Sequence, residues 1–438
     1  MKRVAYHNLG CKVNSYEIEA VTSIMKEAGY SITPFDEEAD VYIINTCSVT
    51  NIADHKSRQM INKARKRNDN AIVIAMGCFV QEIEDEDRRK LNCEIIIGNN
   101  RKHNILDDID RFKKEKSLII DCEDINNPDA CYENLRMTDA PSHTRAFIKV
   151  QDGCNEFCSY CIIPYARGRV RSRDIGDIEN EINNLAMKGC KEFVLTGIHI
   201  SSYSVEEKVE KRKLIDLIER VNNIEGVKRI RLGSLEPRII TDDFLKRLVK
   251  AQKVCPHFHL SLQSGCDSVL KRMNRKYTTE DFSKSAELIR RYYDNPALTT
   301  DIIVGFPGET EEEFDVTYDF LSDIHFHEMH IFKYSRRKGT RADKMDDQIP
   351  ESIKKERSKK LINLSNKMSE EYMRSYLDRE VEVLFEEEVV VDDVRYFQGY
   401  SREYIKVLIK SDDDLSNKII VCVGKNIVSN CLLVEKIK

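Results

Sequence analysis

DGCNEFCSYCIIPYARGR, residues 152–169, decides how the rest of the chain is read. Cys154, Cys158 and Cys161 stand there in C-x3-C-x2-C spacing, directly after the apolar run Ala146–Val150. A loop that follows a strand of a parallel barrel is where such folds present their chemistry. Three thiolates on one short loop can hold three irons of a 4Fe–4S cluster and leave the fourth iron without a protein ligand. That vacancy suits a molecule that chelates through an amine and a carboxylate. The alternative is a zinc knuckle, but structural zinc takes four protein ligands. No fourth Cys or His lies in the loop, and the next cysteine, Cys190, is a helix away.

Outward from the loop, strand and helix patterns alternate. Strands are expected at Ala146–Val150, Glu192–Thr196, Arg229–Gly233, His257–Leu262, Leu298–Val304 and Met329–Tyr334, with helices such as Ile178–Lys188 and Glu311–Leu321 between them. Six such units make a partial (β/α)6 barrel. Upstream, Val4–Leu9, Val41–Asn45, Ala71–Met76 and Glu94–Ile97 read as strands and Ser15–Glu27 and Ile52–Lys66 as helices, an order that implies a doubly wound parallel sheet. Residues 121–144 read as an acidic connector. After a charged helix over Glu351–Tyr376, five short strand patterns without helices predict a small all-β barrel. The fold class is therefore α/β with a β-barrel appended. The domains expected are 1–120, 140–370 and 373–438.

A second set of cysteines is dispersed. Cys11, Cys47 and Cys78 each follow a predicted strand and precede a predicted helix or helix start. The carboxyl ends of parallel strands share one edge, so these thiols are expected to converge on one crevice. Buried cysteines also serve as small hydrophobes, which is the alternative at each position taken singly. No G-x-G-x-x-G follows these strands, so nothing points to a dinucleotide there. The other eight cysteines share no spacing.

With Tyr160 at the aromatic position of C-x3-C-x-Φ-C, the loop resembles that of the radical S-adenosylmethionine (SAM) superfamily. The segments LGCKVNSYE (9–17), NTCSVT (45–50) and MGCFVQ (76–81), together with that loop, resemble the methylthiotransferase family, over the whole chain. The resemblance implies two [4Fe–4S] clusters, one on Cys154, Cys158 and Cys161 and one on Cys11, Cys47 and Cys78. It also implies SAM as cofactor and a TRAM-like C-terminal barrel. SAM contacts are expected from Tyr160, from Thr196 and Gly197 in LTGIH, from Ser261 and Gln263 in SLQSG, and from Gly305, Pro307 and Gly308 in GFPGET. For each of these turns, ordinary strand–helix connection is the competing reading. The family has no use for a general base: a C–H bond without an acidic proton calls for a radical. The segment LGCKVNSYE most resembles the branch that methylthiolates carbon 2 of N6-threonylcarbamoyladenosine 37 in the anticodon loop of tRNA. The alternatives are isopentenyladenosine 37, a ribosomal-protein aspartate, or a non-catalytic metal-stabilised RNA scaffold. An electron donor such as flavodoxin or ferredoxin is implied, whereas the sulfur source is not.

Composition sets the outer limits. The chain of 438 residues has 70 Lys and Arg against 75 Asp and Glu, a net charge of −5, which excludes a general cationic coat for nucleic acid. RNA contact must then be local. Arg167, Arg169, Arg171 and Arg173 are the expected phosphate contacts, and Lys63–Arg67 and Arg336–Lys338 offer further basic runs. Tyr396, Phe397 and Tyr400 are candidates for base stacking or, equally, for the core of the small barrel. No apolar run approaches the ~18 residues of a membrane span. Polar His7 and Asn8 interrupt any signal-peptide core. Fourteen cysteines in what reads as a cytoplasmic chain point to metal or redox chemistry rather than disulfides.

Overall fold

A computed structural model describes residues 2–127, 130–139, 144–206 and 211–437. The N-terminal part is a six-stranded, all-parallel sheet. Its central strands Val41–Thr46 and Ile72–Gly77 are buried almost throughout, as expected of strands covered on both faces. Two strands escaped the sequence reading, Ser31–Ile32 and Ile119–Asp121; both are very short and lie at the two edges. Of the connector 121–144, residues 128–129 and 140–143 lie outside the described residues. Its remainder is not a solvated tether: Ile125, Glu133, Leu135 and Met137 are buried.

The middle of the chain is a partial barrel. Parallel strands Arg145–Asp152, Glu192–Gly197 and Arg229–Leu232 form one sheet, and His257–His259, Ala297–Val304 and Glu328–Lys333 another. Parallel bridges Ile230↔Val254 and Leu235↔Leu260 join the two. The long helix Lys12–Glu27 of the N-terminal part packs on the first barrel strand, where Tyr16 and Ala20 enter the barrel's own apolar core.

The C-terminal strands Glu380–Val391, Val394–Ser401, Lys406–Ile409, Ile419–Val428 and Cys431–Lys436 close into a five-stranded barrel. Its acidic character has a structural cause. Glu382 accepts from Arg229 at 2.9 Å and Glu386 pairs with Arg145 at 2.7 Å, both arginines standing at the amino ends of partial-barrel strands. Arg231 reaches the carbonyls of Ser401 and Arg402 at 3.1 and 3.0 Å. The acidic residues thus dock one barrel on the other. Tyr396 and Phe397 are buried in the small barrel's apolar clusters, so base stacking by these two is ruled out.

Candidate functional site

The strand-tip cysteines meet because of register. Thr46 pairs with Gly77 across neighbouring parallel strands, so Cys47 and Cys78 leave the sheet side by side. Asn8 pairs with Asn45, and Cys11 follows a two-residue turn to stand at the N-cap of the helix Lys12–Glu27. Glycine is required before two of the thiols. Gly10 has φ +110°, and a Cβ there would sit 3.1 Å from the Cys47 sulfur. Gly77 has φ +100°, and its Cβ would strike the Asn45 side chain at 2.6 Å. Asn14 ties the turn down, donating to the carbonyls of Leu9 and Thr46 at 2.7 and 3.0 Å.

Around this triad lies a buried ionic network spanning both parts of the chain. Arg167, fully buried, donates from Nε to the Cys78 sulfur at 3.1 Å and from its other nitrogens to Glu17 at 2.8 Å and Asp152 at 3.2 Å. Lys149 also reaches Glu17 at 2.8 Å, and Lys102 lies 3.4 Å from Glu17 and 3.8 Å from Glu133. Burial alone would raise the Glu17 carboxyl, but Arg167, Lys102 and Lys149 outweigh it and hold the group well below the usual carboxylate range. Counting Arg171, 3.8 Å from Asp152, four basic groups face three carboxylates. The surplus cation leaves room for negative charge at the thiols.

The loop triad is built locally. Ser159 anchors the loop through its N–H to the Met273 carbonyl at 2.9 Å and its hydroxyl to that of Arg272 at 2.7 Å. Tyr160 meets Phe306 of the GFPGET turn edge-on at 6.5 Å between ring centres. Arg275 donates to the Cys158 sulfur at 3.2 Å and lies over the Tyr277 ring. Burial pushes Cys161 up to about 12 and Cys154 up to about 11, and likewise Cys47 up to about 12. Thiolates at Cys47, Cys154 and Cys161 therefore need a cationic partner beyond the protein.

The two triads are neighbours. Arg167, on the Cys78 sulfur, follows Cys161 by six residues, and the helix Ile163–Arg167 is held to the N-terminal sheet by Asn99, which donates to the Ala166 carbonyl at 2.7 Å. Two three-thiol sites, each with an arginine N–H on one sulfur and linked through the short helix that follows the loop, are the decisive feature.

Comparison with known proteins agrees. The Radical SAM superfamily matches residues 148–321, and the family described as uncharacterized protein family UPF0004 matches residues 3–98. The threonylcarbamoyladenosine tRNA methylthiotransferase MtaB of Bacillus subtilis (strain 168) is 41% identical over 422 residues, covering 96% of this chain and 93% of that protein. The tRNA-2-methylthio-N(6)-dimethylallyladenosine synthase of Clostridium tetani is 37% identical over 387 residues, covering 86% of this chain and 84% of its own. The chain belongs to the radical SAM methylthiotransferase family. Among solved structures, the radical SAM methyltransferase TsrM from Kitasatospora setae, with cobalamin and a [4Fe–4S] cluster bound, is similar with a TM-score of 0.58 at 14% identity, covering 78% of this chain and 77% of that one; this is a likeness of fold.

Radical SAM methylthiotransferases use SAM and two [4Fe–4S] clusters, and the donor sets here fit: three cysteines per site, a hydrogen-bond donor on one sulfur, and an excess of buried cation beside the strand-tip triad. The residues expected around SAM sit at strand ends of the partial barrel. Gln263, at φ +75°, bridges into the strand Ala297–Val304, and the Ser261 carbonyl accepts from Arg275 and Tyr277. Thr196 is buried, and Gly197 lies against Gln151, where a Cβ would come within 2.9 Å. Pro307 stands between Gly305 and Gly308, both left-handed. The Cβ-less face of Gly305 is filled by the Lys354 side chain, so that glycine serves helix packing.

The arginine run needs correction. Arg167, Arg171 and Arg173 are buried; Arg173 pairs with Glu181, and Arg171 donates to the Arg167 and Arg169 carbonyls. Carboxylates and carbonyls, not phosphates, satisfy them. Only Arg169 of the four is exposed, lying over the Phe157 ring at 4.9 Å. Arg337 is likewise buried between Asp54 and Glu82, joining the last barrel strand to the N-terminal part, while Lys66 and Lys338 remain exposed. The sequence reading missed Glu17, Lys102, Lys149 and Arg275. Charged residues at isolated positions carry no spacing signal, although Glu17 does close the segment LGCKVNSYE.

Proposed function

We propose that this chain methylthiolates carbon 2 of N6-threonylcarbamoyladenosine 37 in the tRNA anticodon loop. The observation that carries the reading is Arg167, six residues past the loop triad in the chain, donating to the Cys78 sulfur of the strand-tip triad. The similarity to the Bacillus subtilis enzyme named for that nucleoside supports the choice of substrate. When bound, SAM and the two clusters supply radical hydrogen abstraction and the sulfur to be donated. The chain's own work is placement. Cys154, Cys158 and Cys161 hold one cluster on a loop braced by Ser159, with Arg275 compensating thiolate charge at Cys158. Cys11, Cys47 and Cys78 hold the other on strand tips that the sheet fixes in register. Tyr160, Thr196, Gly197, Ser261, Gln263, Pro307 and Gly308 would surround SAM, a reading supported by the contact of Tyr160 on the cluster loop with Phe306 of the GFPGET turn. Arg169 and Lys338 are exposed and meet RNA phosphates. A flavodoxin or ferredoxin supplies the electron. The functional units are residues 1–120, 140–370 and 373–438.

Nucleoside mass spectrometry of tRNA tests this. In a strain lacking this gene, 2-methylthio-N6-threonylcarbamoyladenosine is expected to vanish, its unmodified precursor to accumulate, and the gene to restore it. Loss of the methylthio-dimethylallyl nucleoside instead would move the chain to the other substrate.

A further inference from the structure

A cavity of about 440 Å³ opens where the strands His257–His259, Ala297–Val304 and Glu328–Lys333 face the helix Glu351–Arg374 and the C-terminal barrel. Its volume lies within the range of small-molecule sites, about 300–1,000 Å³. One wall residue comes from the N-terminal part: Lys12. It follows Cys11, so its backbone lies about 3.8 Å from that of a strand-tip thiol.

The polar groups in this wall are incompletely used. Lys12 makes no hydrogen bond or ion pair among the described residues, although the arginines behind the cavity are matched, Arg145 by Glu386 and Arg231 by Glu192. His257 and His327 are buried, yet Nδ1 of each has no partner. Burial lowers both imidazoles, His327 down to about 4 with a hydrogen bond to the Tyr404 backbone opposing the shift, so each offers the cavity one unsatisfied ring nitrogen and Lys12 supplies the charge. Tyr404, stacked on His257 at 4.7 Å, closes the floor in a left-handed backbone conformation.

A cation is a poor match. His259, Asp301 and His330 do cluster, but His259 already pairs with Asp301 at 3.3 Å, and Lys12 adds positive charge beside them. One unpaired ammonium beside two unsatisfied imidazole nitrogens suits a single carboxylate that carries further hydrogen-bonding atoms. The N6 substituent of the nucleoside proposed above has that chemistry: a carboxylate, a hydroxyl and a carbamoyl group.

We infer that this cavity is the specificity pocket for the N6 substituent of the target adenosine, with Lys12 pairing with its carboxylate and His257 and His327 meeting its other polar atoms. The inference rests on the substrate proposed above. It also gives that choice a physical basis, since a dimethylallyl group would offer Lys12 no charge partner and would leave the two buried imidazoles facing hydrocarbon, a loss that buried polar sites penalise heavily.

The test uses anaerobically reconstituted protein and anticodon stem-loops bearing threonylcarbamoyladenosine, its carboxyl methyl ester, or dimethylallyladenosine. Wild-type protein is expected to bind the acid roughly ten-fold or more tighter than the ester, as for a charge-assisted hydrogen bond. Lys12→Gln should remove that discrimination with iron content and cluster absorption unchanged, and Lys12→Arg should retain most of it. Lys406→Gln, which alters the other lysine lining the cavity, should leave it intact. His327→Gln should weaken acid and ester alike. Equal binding of acid and ester by wild-type protein overturns the pocket, and that arm stands even where a variant loses its cluster. So does loss of acid and ester binding by one factor in Lys12→Gln, or loss of discrimination in Lys406→Gln. Turnover separates the two readings. Methylthiolation of the dimethylallyl stem-loop alone defeats the substrate proposal, whereas turnover of the threonylcarbamoyl stem-loop without acid–ester discrimination defeats only the pocket.

Discussion

The two thiol triads solve one problem in opposite ways. The loop triad spans eight residues and is held by neighbouring carbonyls and one arginine, Arg275, for which no carboxylate lies within pairing distance among the described residues. The strand-tip triad spans 68 residues and exists only because three parallel strands are in register. Its arginine, Arg167, is shared with Glu17 and Asp152 in a buried network that also fastens two parts of the chain together. One site is a property of a segment; the other is a property of the fold. Folding stability should therefore matter far more to the second.

The sharpest way to break the contrast is to remove one thiol from each. Cys158→Ala is expected to abolish SAM cleavage altogether. Cys47→Ala should keep SAM cleavage and lose methylthio transfer completely, with iron falling from ~8 to ~4 per chain on the two-cluster assignment. Iron analysis and chromatography of 5′-deoxyadenosine read both. Equal loss of SAM cleavage in the two variants would show that the sites are not separable.

A smaller effect comes from the arginines. Arg167→Met leaves Glu17 and Asp152 buried with a cation missing, and breaking such a network costs about 3–5 kcal/mol. Arg275→Met removes a hydrogen bond to sulfur but strands no carboxylate, a loss of about 1.5–3 kcal/mol. Urea unfolding under anaerobic conditions should therefore rank Arg167→Met well below Arg275→Met. The latter should instead lower the reduction potential of the loop cluster, because a donor to sulfur stabilises the more negative, reduced state. If Arg275→Met were the less stable protein, the local-versus-global distinction would fail.

What the sequence disclosed follows the same division. C-x3-C-x2-C is a spacing, and spacing is legible. Cys11, Cys47 and Cys78 were also legible, because each ends an apolar run and parallel strands share an edge. The arginines were not. Arg167, Arg169, Arg171 and Arg173 look alike in one dimension, and alternation in a short extended segment gave no hint that three turn inward. Their partners Glu17, Asp152 and Glu181 are brought up by helix packing and barrel closure. In the small barrel, the acidic run Glu386–Glu388 looks in one dimension like plain surface charge, and the docking contact of Glu386 with Arg145 gives it another purpose. Charge in sequence reports composition; only the fold says which charges are already matched.

Acid separates the regions most gently. Beside the loop triad, burial lowers His199, with Glu236 and Glu156 opposing the shift and Arg275 and Arg238 adding to it. A histidine lowered on folding contributes stability that is complete above its unfolded pKa, about 6.5, and is lost as pH falls through the folded value. Around the strand-tip triad the groups are carboxylates. Burial would raise Glu17 and Glu133, but Arg167 and Lys102, respectively, lead the opposing charges that hold both below their ordinary range. Their stabilisation is complete above about pH 4.3 and is lost only below it. Lowering pH from 7 to 5 should therefore loosen the turn after Glu192–Gly197 while leaving helix Lys12–Glu27 protected. Hydrogen exchange of peptides covering 195–203 and 12–27, corrected for intrinsic rates, reads the two separately. Protection of the first should fall within that interval and that of the second only below about pH 4. Simultaneous loss would mean that both regions open as one cooperative unit, and that the buried network does not insulate the strand-tip triad from its neighbour.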